Sequence, residues 1–366
     1  LPTDLPKDWP ARSKVDEYNR RLRQTLDLRL AARSDSRSEN SAETELLLEV
    51  AIEHRLMHAE TLAYLLHQIP LDRKFRQTDQ PIPSAPQPDA QMSRVPAGTA
   101  TLGLQRTENE QTNSGAQSKS YGWDNEFEEH QVAVPEFHID TYKVTNGDFL
   151  NFYSSGGYQN RSLWSDTDWN WIQARGTSHP SFWVFHGEQP FLRTMFDEIP
   201  LPLNWPVYVS HAEATAYARW CGKELPGEAE WHRAAYGIPS ETRGAEISER
   251  AFPWGNNSPT AIHGNFDFQR WDPAPVTAFP SGASAFGVRG LIGNGWEWTR
   301  TVFAPFPGFA PFPFYPGYSA DFFDGHHFVM KGGSSRTAAC MLRRSFRNWF
   351  QPHYPYVYAG FRCIKR

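Results

Sequence analysis

Two histidines one helical turn apart are the residues in this chain best suited to hold a metal. They lie in the run Glu53-His54-Arg55-Leu56-Met57-His58-Ala59-Glu60-Thr61. An α-helix turns once in about 3.6 residues, so imidazoles at i and i+4 project the same way. Two neutral imidazoles on one face suit a transition metal. An isolated pair of this kind is more often a pair of core or groove histidines, so the rest of the chain has to decide. Glu60 sits about 200° around the helix from His58. It cannot join the same ligand face, and a hydrogen bond to a ligand or to a neighbouring element suits it, as does a plain structural pairing.

The element that must position the pair is a long helix. Residues 42–69 carry apolar side chains at Leu47, Val50 or Ala51, Leu62, Leu65 and Ile69, with His54 and His58 inside the stripe. That three-and-four spacing predicts an amphipathic helix. Asn40 with Glu43 resembles a capping box at its start, and Pro70 closes it. A second helix is predicted over residues 13–30, with Ser13 as cap and Val15, Tyr18, Leu22 and Leu26 in register. Two helices cannot bury their own stripes, so they are expected to belong to a larger bundle.

Bulk properties narrow the function classes. The chain has 366 residues, 39% hydrophobic and 21% charged, with a formal net charge of −5. That length allows two domains, and the acidic balance argues against a nucleic-acid partner, which wants a basic face. No apolar run approaches the roughly 18 residues of a membrane span. Cys221, Cys340 and Cys363 are odd in number and form no CxxC pair, so reduced thiols and a cytoplasmic location are expected. The chain holds 14 Trp, 14 Tyr and 25 Phe beside 29 Pro and 26 Gly. This predicts a loop-rich fold with an aromatic core.

The pattern changes after a proline-rich stretch over 78–98, with Pro81, Pro83, Pro86, Pro88 and Pro96. It reads as an extended linker, its core at 78–91, between a helical segment at 1–77 and a second domain at 92–366. Beyond it, residues 131–140 read as one strand. Thr145 with Asp148, and Ser210 with Glu213, read as capping boxes opening short helices. Residues 101–125 and 238–262 are polar and are expected to be surface loops, and no internal repeat is present.

Several later stretches carry a resemblance. Pro206-Val207-Tyr208-Val209-Ser210-His211-Ala212-Glu213 leads into Trp220-Cys221-Gly222-Lys223-Glu224-Leu225-Pro226 and then Glu228-Ala229-Glu230-Trp231. Next come Gly293-Asn294-Gly295-Trp296-Glu297-Trp298-Thr299, Lys331-Gly332-Gly333-Ser334 and Gly360-Phe361-Arg362-Cys363. In that order, from about residue 92 to the end, they resemble the formylglycine-generating-enzyme-like, or sulfatase-modifying-factor, domain. The resemblance implies an α+β class, with a C-type-lectin-like fold poor in regular structure behind a portion of a DinB-like helical bundle. The histidine helix ahead of this domain, together with Ser345-Phe346-Arg347-Asn348-Trp349 before Gly360-Phe361-Arg362, is similar to the sulfoxide synthases of ergothioneine biosynthesis. Relatives that make ovothiol or selenoneine share that pattern.

In that group a non-haem Fe(II), held by three histidines, uses O2 to join a thiol sulfur to C2 of the hercynine imidazole as a sulfoxide. Carried onto this chain, the resemblance makes His54 and His58 iron ligands. The third comes from an earlier helix in the group, and no histidine precedes His54 here, so a third ligand is expected upstream of this sequence; loss of the metal site is the alternative. Asn348 and Trp349 match substrate-contacting positions. Met57 stands where well-studied relatives carry a Gln that touches the substrate. Phe350 stands where relatives using gamma-glutamylcysteine carry an Asp that meets the donor's ammonium, so cysteine, or another sulfur or selenium donor, is favoured. A proton donor is needed, and Tyr315 and Tyr318 are the candidates, with Tyr354, Tyr356 and Tyr358 as competitors. Arg343, Arg344 and Arg347 could bind a substrate carboxylate or make salt bridges within the domain. Glu297 and Asn265 are candidates for a Ca2+ site, because some relatives bind that ion at the corresponding motif; a structural tight turn with a buried, hydrogen-bonded Glu297 is the favoured alternative. The formylglycine-generating reaction itself fits less well, because it uses two cysteines near the C-terminal end and only Cys340 lies near such a position. A non-catalytic lectin-like binding module is the alternative of another class.

Overall fold

The computed structural model describes residues 9–34, 41–76, 81–106, 121–239 and 249–366. Among them six α-helices form: α1 Arg12–Ser34, α2 Ser41–Gln68, α3 Asn146–Ser154, α4 Asp166–Arg175, α5 His211–Trp220 and α6 Glu228–Tyr236. Short strands make four small sheets, so the class is α+β. The chain divides into two compact units, residues 1–52 and 53–366, with α2 running through the boundary.

In the first unit, α1 starts one residue earlier than the Ser13 cap would place it. Pro10 cannot donate a backbone hydrogen bond, and the Ala11 carbonyl already receives the amides of Lys14 and Val15. Val15, Tyr18, Leu22 and Leu26 keep their helical spacing yet are exposed. The Asn40 cap lies outside the described residues.

The second unit is organised around a four-stranded sheet, ordered Asn348–Phe350, Phe328–Lys331, Trp296–Val302 and Ala359–Gly360. Trp349 stands opposite Val329, and Trp298 opposite Met330. Gly360 pairs in parallel with Glu297. The expected strand over 131–140 is two strands in two sheets, His130–Val134 and Phe137–Asp140, because Pro135 lacks the amide a ladder needs. The two capping boxes are present: Asp148 N–H donates to Thr145 Oγ1 at 3.1 Å and Glu213 N–H to Ser210 Oγ at 3.3 Å.

The core is aromatic, with Trp123, Trp205, Trp231 and Trp298 fully buried. Trp231 and Tyr236 of α6 pack with Phe137, Ile139, Val288 and Leu291. The 101–125 stretch is not all surface loop. Residues 107–120 lie outside the described part, but Trp123, Asp124, Asn125 and Glu126 are buried. Trp123 Nε1 donates to Glu53 Oε2 at 2.8 Å and Asn125 Nδ2 to Ser319 Oγ at 3.0 Å, partners that composition could not reveal. Of the other expected loop, residues 240–248 lie outside the described part, and Glu249 is buried. Residues 81–91 are extended as expected but are tied down: Trp205 Nε1 donates to Pro83 O at 3.1 Å and Gln87 Nε2 to Asp148 Oδ1 at 3.2 Å.

Candidate active site at the histidine helix

The part of α2 that belongs to the second unit is fixed on the domain by two buried carboxylates that bracket the histidine pair. Glu53, one residue before His54, accepts from Trp123 Nε1 at 2.8 Å and from both terminal nitrogens of Arg343, at 2.5 and 3.1 Å. Glu60, two residues after His58, accepts four hydrogen bonds. They come from Tyr64 Oη at 2.5 Å, Trp296 Nε1 at 2.8 Å, Ser334 Oγ at 2.6 Å and Thr337 Oγ1 at 2.9 Å. A buried carboxylate is tolerable only when its lone pairs are satisfied, and here they are. Turn geometry makes the Glu60 contact possible. Gly332 has φ +101°, and a Cβ there would run into the Leu291 carbonyl oxygen. Only glycine takes that path, which brings Ser334 back onto Glu60.

With the helix held at both flanks, His54 and His58 line a cavity of about 720 Å3. Their ring centroids lie 4.5 Å apart, edge to face. Among the described residues no hydrogen bond ties up either ring. Burial, and then the neighbouring His58, push the pKa of His54 below its ordinary value, which keeps a lone pair available. Two uncommitted imidazoles on one cavity wall fit two adjacent positions on Fe(II). Among the described residues no group of three or more His, Cys, Asp or Glu is placed to hold a metal.

The other expected residues sort into those that reach the cavity and those that are spent elsewhere. Tyr315 faces His54 with ring centroids 5.8 Å apart. Tyr318 is buried, stacks on Trp123 at 3.9 Å, and donates its hydroxyl to Met57 Sδ at 3.4 Å. Asn348, Trp349 and Phe350 all line the cavity. Trp349 stacks on Phe303 at 4.1 Å, and Phe350 stacks on Tyr354 at 5.1 Å. Tyr358 instead meets His67, with its hydroxyl 2.9 Å from Nδ1, and Tyr356 packs edgewise on Tyr354.

The arginines are engaged within the domain. Arg343 is clamped between Glu53 and Glu126. Burial alone would lower its pKa, but the two carboxylates raise it, so the guanidinium stays charged and occupied. Arg344 pairs with Glu249 at 2.9 Å. Arg347 lines the cavity but gives Nε to Glu228 at 3.0 Å and Nη1 to Ala304 O at 3.1 Å. Arg343 has every side-chain nitrogen on a buried carboxylate and so takes the salt-bridge alternative, whereas Arg347 keeps Nη2 without a hydrogen bond among the described residues.

Glu297 takes the structural alternative, a buried and hydrogen-bonded carboxylate. Glu297 accepts from Lys143 at 2.8 Å, Trp231 at 2.9 Å and Arg362 at 2.7 and 2.8 Å. Burial would raise its pKa, yet Arg362 and Lys143 hold it down at about 2. Two cations already neutralise this carboxylate, which leaves no place for a third. Asn265 donates Nδ2 to Asn294 Oδ1 and Asp272 O, each at 3.1 Å, while its buried Oδ1 has no hydrogen-bond partner among the described residues.

Residues 78–366 match the model of the sulfatase-modifying factor enzyme 1-like domain. The chain belongs to this family. Within the family the chain is 42% identical over 241 residues to a hercynine oxygenase of Mycobacterium tuberculosis, covering 65% of this chain and 55% of that protein. It is 36% identical over 320 residues to a hercynine oxygenase of Mycolicibacterium smegmatis, covering 86% of this chain and 70% of that protein. An ergothioneine biosynthesis protein 1 of Schizosaccharomyces pombe is 27% identical over 389 residues, covering 99% of this chain and 45% of that protein. The chain thus spans between about half and 70% of the length of these relatives.

Sequence reading missed Glu53 as an anchor, and with it Trp123, Glu126, Ser334 and Thr337. The available signal was local, since Glu53 and Glu60 are the carboxylates nearest the two histidines on α2. Their partners were not visible, because Arg343 lies 290 positions from Glu53.

Proposed function

We propose that this chain is the core of a non-haem Fe(II), O2-dependent sulfoxide synthase that joins a thiol to C2 of hercynine. The observation that carries the reading is the pair His54 and His58, uncommitted and 4.5 Å apart, sharing one cavity wall with Tyr315 opposite and Asn348 and Trp349 beside them. Hercynine oxygenases among the relatives support the imidazole substrate. In this reading the helices are a portion of a DinB-like bundle, and the domain behind them is C-type-lectin-like. The working compartment is the cytoplasm: the cysteines are free thiols, and among the described residues no helix is long and apolar enough to cross a membrane.

The overall change balances as hercynine plus thiol plus O2 giving sulfoxide plus water. The C2–H and S–H bonds break, and C–S and S–O bonds form. One oxygen atom stays on sulfur, and the other leaves as water with the two released protons. Bound iron supplies the activation of O2. The protein's own groups orient and protonate. Tyr315, exposed at the cavity and edge-on to His54, is placed to deliver a proton from its hydroxyl. Tyr318 positions Met57 and so shapes the wall between the two histidines. Phe350, packed on Tyr354, offers no charge to a donor's ammonium group. This favours cysteine over gamma-glutamylcysteine, and a selenium donor is compatible with the same wall.

The test is aerobic incubation of Fe(II)-loaded protein with hercynine and a panel of thiols, read by mass. A product heavier by the thiol plus one oxygen, less two hydrogens, is expected with cysteine. Its absence with every donor would sink the proposal. His58→Ala should lose bound iron while keeping its circular dichroism, and iron content equal to the parent protein would remove His58 from the ligand set.

A further inference from the structure

The cavity wall carries few fixed charges, and nearly all are spent. Glu60 is saturated by four donors. Arg347 is paired with Glu228. His327 is 2.9 Å from Asp324 through Nδ1. Asp321 lines the same cavity and, among the described residues, has no hydrogen bond or ion pair from its side chain. It is folded back over the turn that carries Tyr315 and Tyr318. A Cβ at Gly317 would come within 2.7 Å of Asp321 Oδ2, so glycine there leaves room for the carboxylate. Phe322, the next residue, also lines the cavity and packs on Trp349, their ring centroids 5.6 Å apart. At Phe350 the wall is different, with Tyr64 and Tyr354 packed on that ring and no charge among the three.

A quaternary ammonium has no N–H to donate. It is held by aromatic faces and by a nearby negative charge rather than by hydrogen bonds. One uncommitted carboxylate on a cavity wall that also carries the rings of Phe322 and Trp349 is that combination. We propose that Asp321 is the charge receptor for the fixed cation of the imidazole substrate, at the end of the cavity walled by Phe322 and Trp349. This rests on the proposed function, which supplies the trimethylammonium group. It adds a specificity residue: the acid selects the cationic substrate, while the histidine wall receives its imidazole.

The test is binding measured by calorimetry on the full chain, without turnover. The ligands are hercynine and 3-(imidazol-4-yl)propionate, which keeps the ring and carboxylate but lacks the cation. The parent protein should prefer hercynine. Asp321→Asn should weaken hercynine by roughly tenfold at low salt, leave the cation-free ligand unchanged, and lose the ionic-strength dependence of the preference. Asp321→Glu should restore part of the preference. Equal hercynine affinity in Asp321→Asn and the parent would overturn the proposal. So would an equal loss for both ligands, which would mean a structural role, or a weakening confined to the thiol titrated in the same way, which would move Asp321 to the donor. If the parent protein binds no hercynine, the proposed function fails, a result distinct from any of these.

Discussion

Replacing Glu60 by alanine should detach the histidine helix from the domain without unfolding the rest. Its carboxylate is the common acceptor for Tyr64, Trp296, Ser334 and Thr337. Hydrogen bonds to a charged acceptor contribute about 1.5–3 kcal/mol each, and unsatisfied buried donors cost a similar amount. Four such bonds do not add in full, because water enters the vacated space and hydroxyls rotate to new partners. The net loss for Glu60→Ala is therefore placed at roughly 3–5 kcal/mol, the range for breaking a buried polar network. Glu60→Gln keeps the volume and one acceptor oxygen and should lose only about 1–2 kcal/mol. Urea unfolding followed by tryptophan fluorescence gives the global figure. Amide hydrogen exchange over residues 53–68 gives the local one, because helix detachment opens that segment first. The double variant Ser334→Ala with Thr337→Ala should be non-additive with Glu60→Ala, since all three remove the same contacts. Stability of Glu60→Ala within about 0.5 kcal/mol of the parent, with unchanged exchange over residues 53–68, would refute the anchor.

Two further outcomes follow from the same packing. Phe350→Asp places a carboxylate beside Tyr64 and Tyr354 and should raise turnover with gamma-glutamylcysteine relative to cysteine; an unchanged donor ratio by mass would separate Phe350 from donor choice. His67 gives a pH signature. Burial pushes its pKa down to about 4, with the Arg193 carbonyl pulling the other way and the charge of Lys74 adding to the fall. The neutral ring donates Nε2–H to Arg193 O at 3.0 Å and accepts from Tyr358 at Nδ1. The unfolded chain takes up a proton below its ordinary pKa of about 6.5, where the folded chain does not. Stability is then full above about pH 6.5 and falls by roughly 3 kcal/mol as the pH drops to about 4. His67→Gln should show a shallower slope across that window in urea unfolding, with the His211 contribution, also depressed to about 4, left in place. Identical slopes would show that His67 is not held neutral.

What the sequence alone determined was chemistry of a local kind. The i, i+4 histidines, the two capping boxes and the order of motifs were legible, because each depends on residues a few positions apart. The α2 helix lies one residue from its expected bounds at either end, at Ser41–Gln68. The tertiary structure decided which polar groups remain free. Arg343 and Glu297 have the same charges on paper as residues that bind substrates or metals. Folding delivers Glu53 and Glu126 to the one, and Lys143 and Arg362 to the other. Asp321, by contrast, was unremarked in the sequence and emerges as the uncommitted carboxylate on the cavity wall. Burying a charge without a partner costs far more than leaving it wet, so the fold spends its charges in pairs formed between distant segments. A sequence states the charge of each residue, and only the folded chain says what stands opposite it.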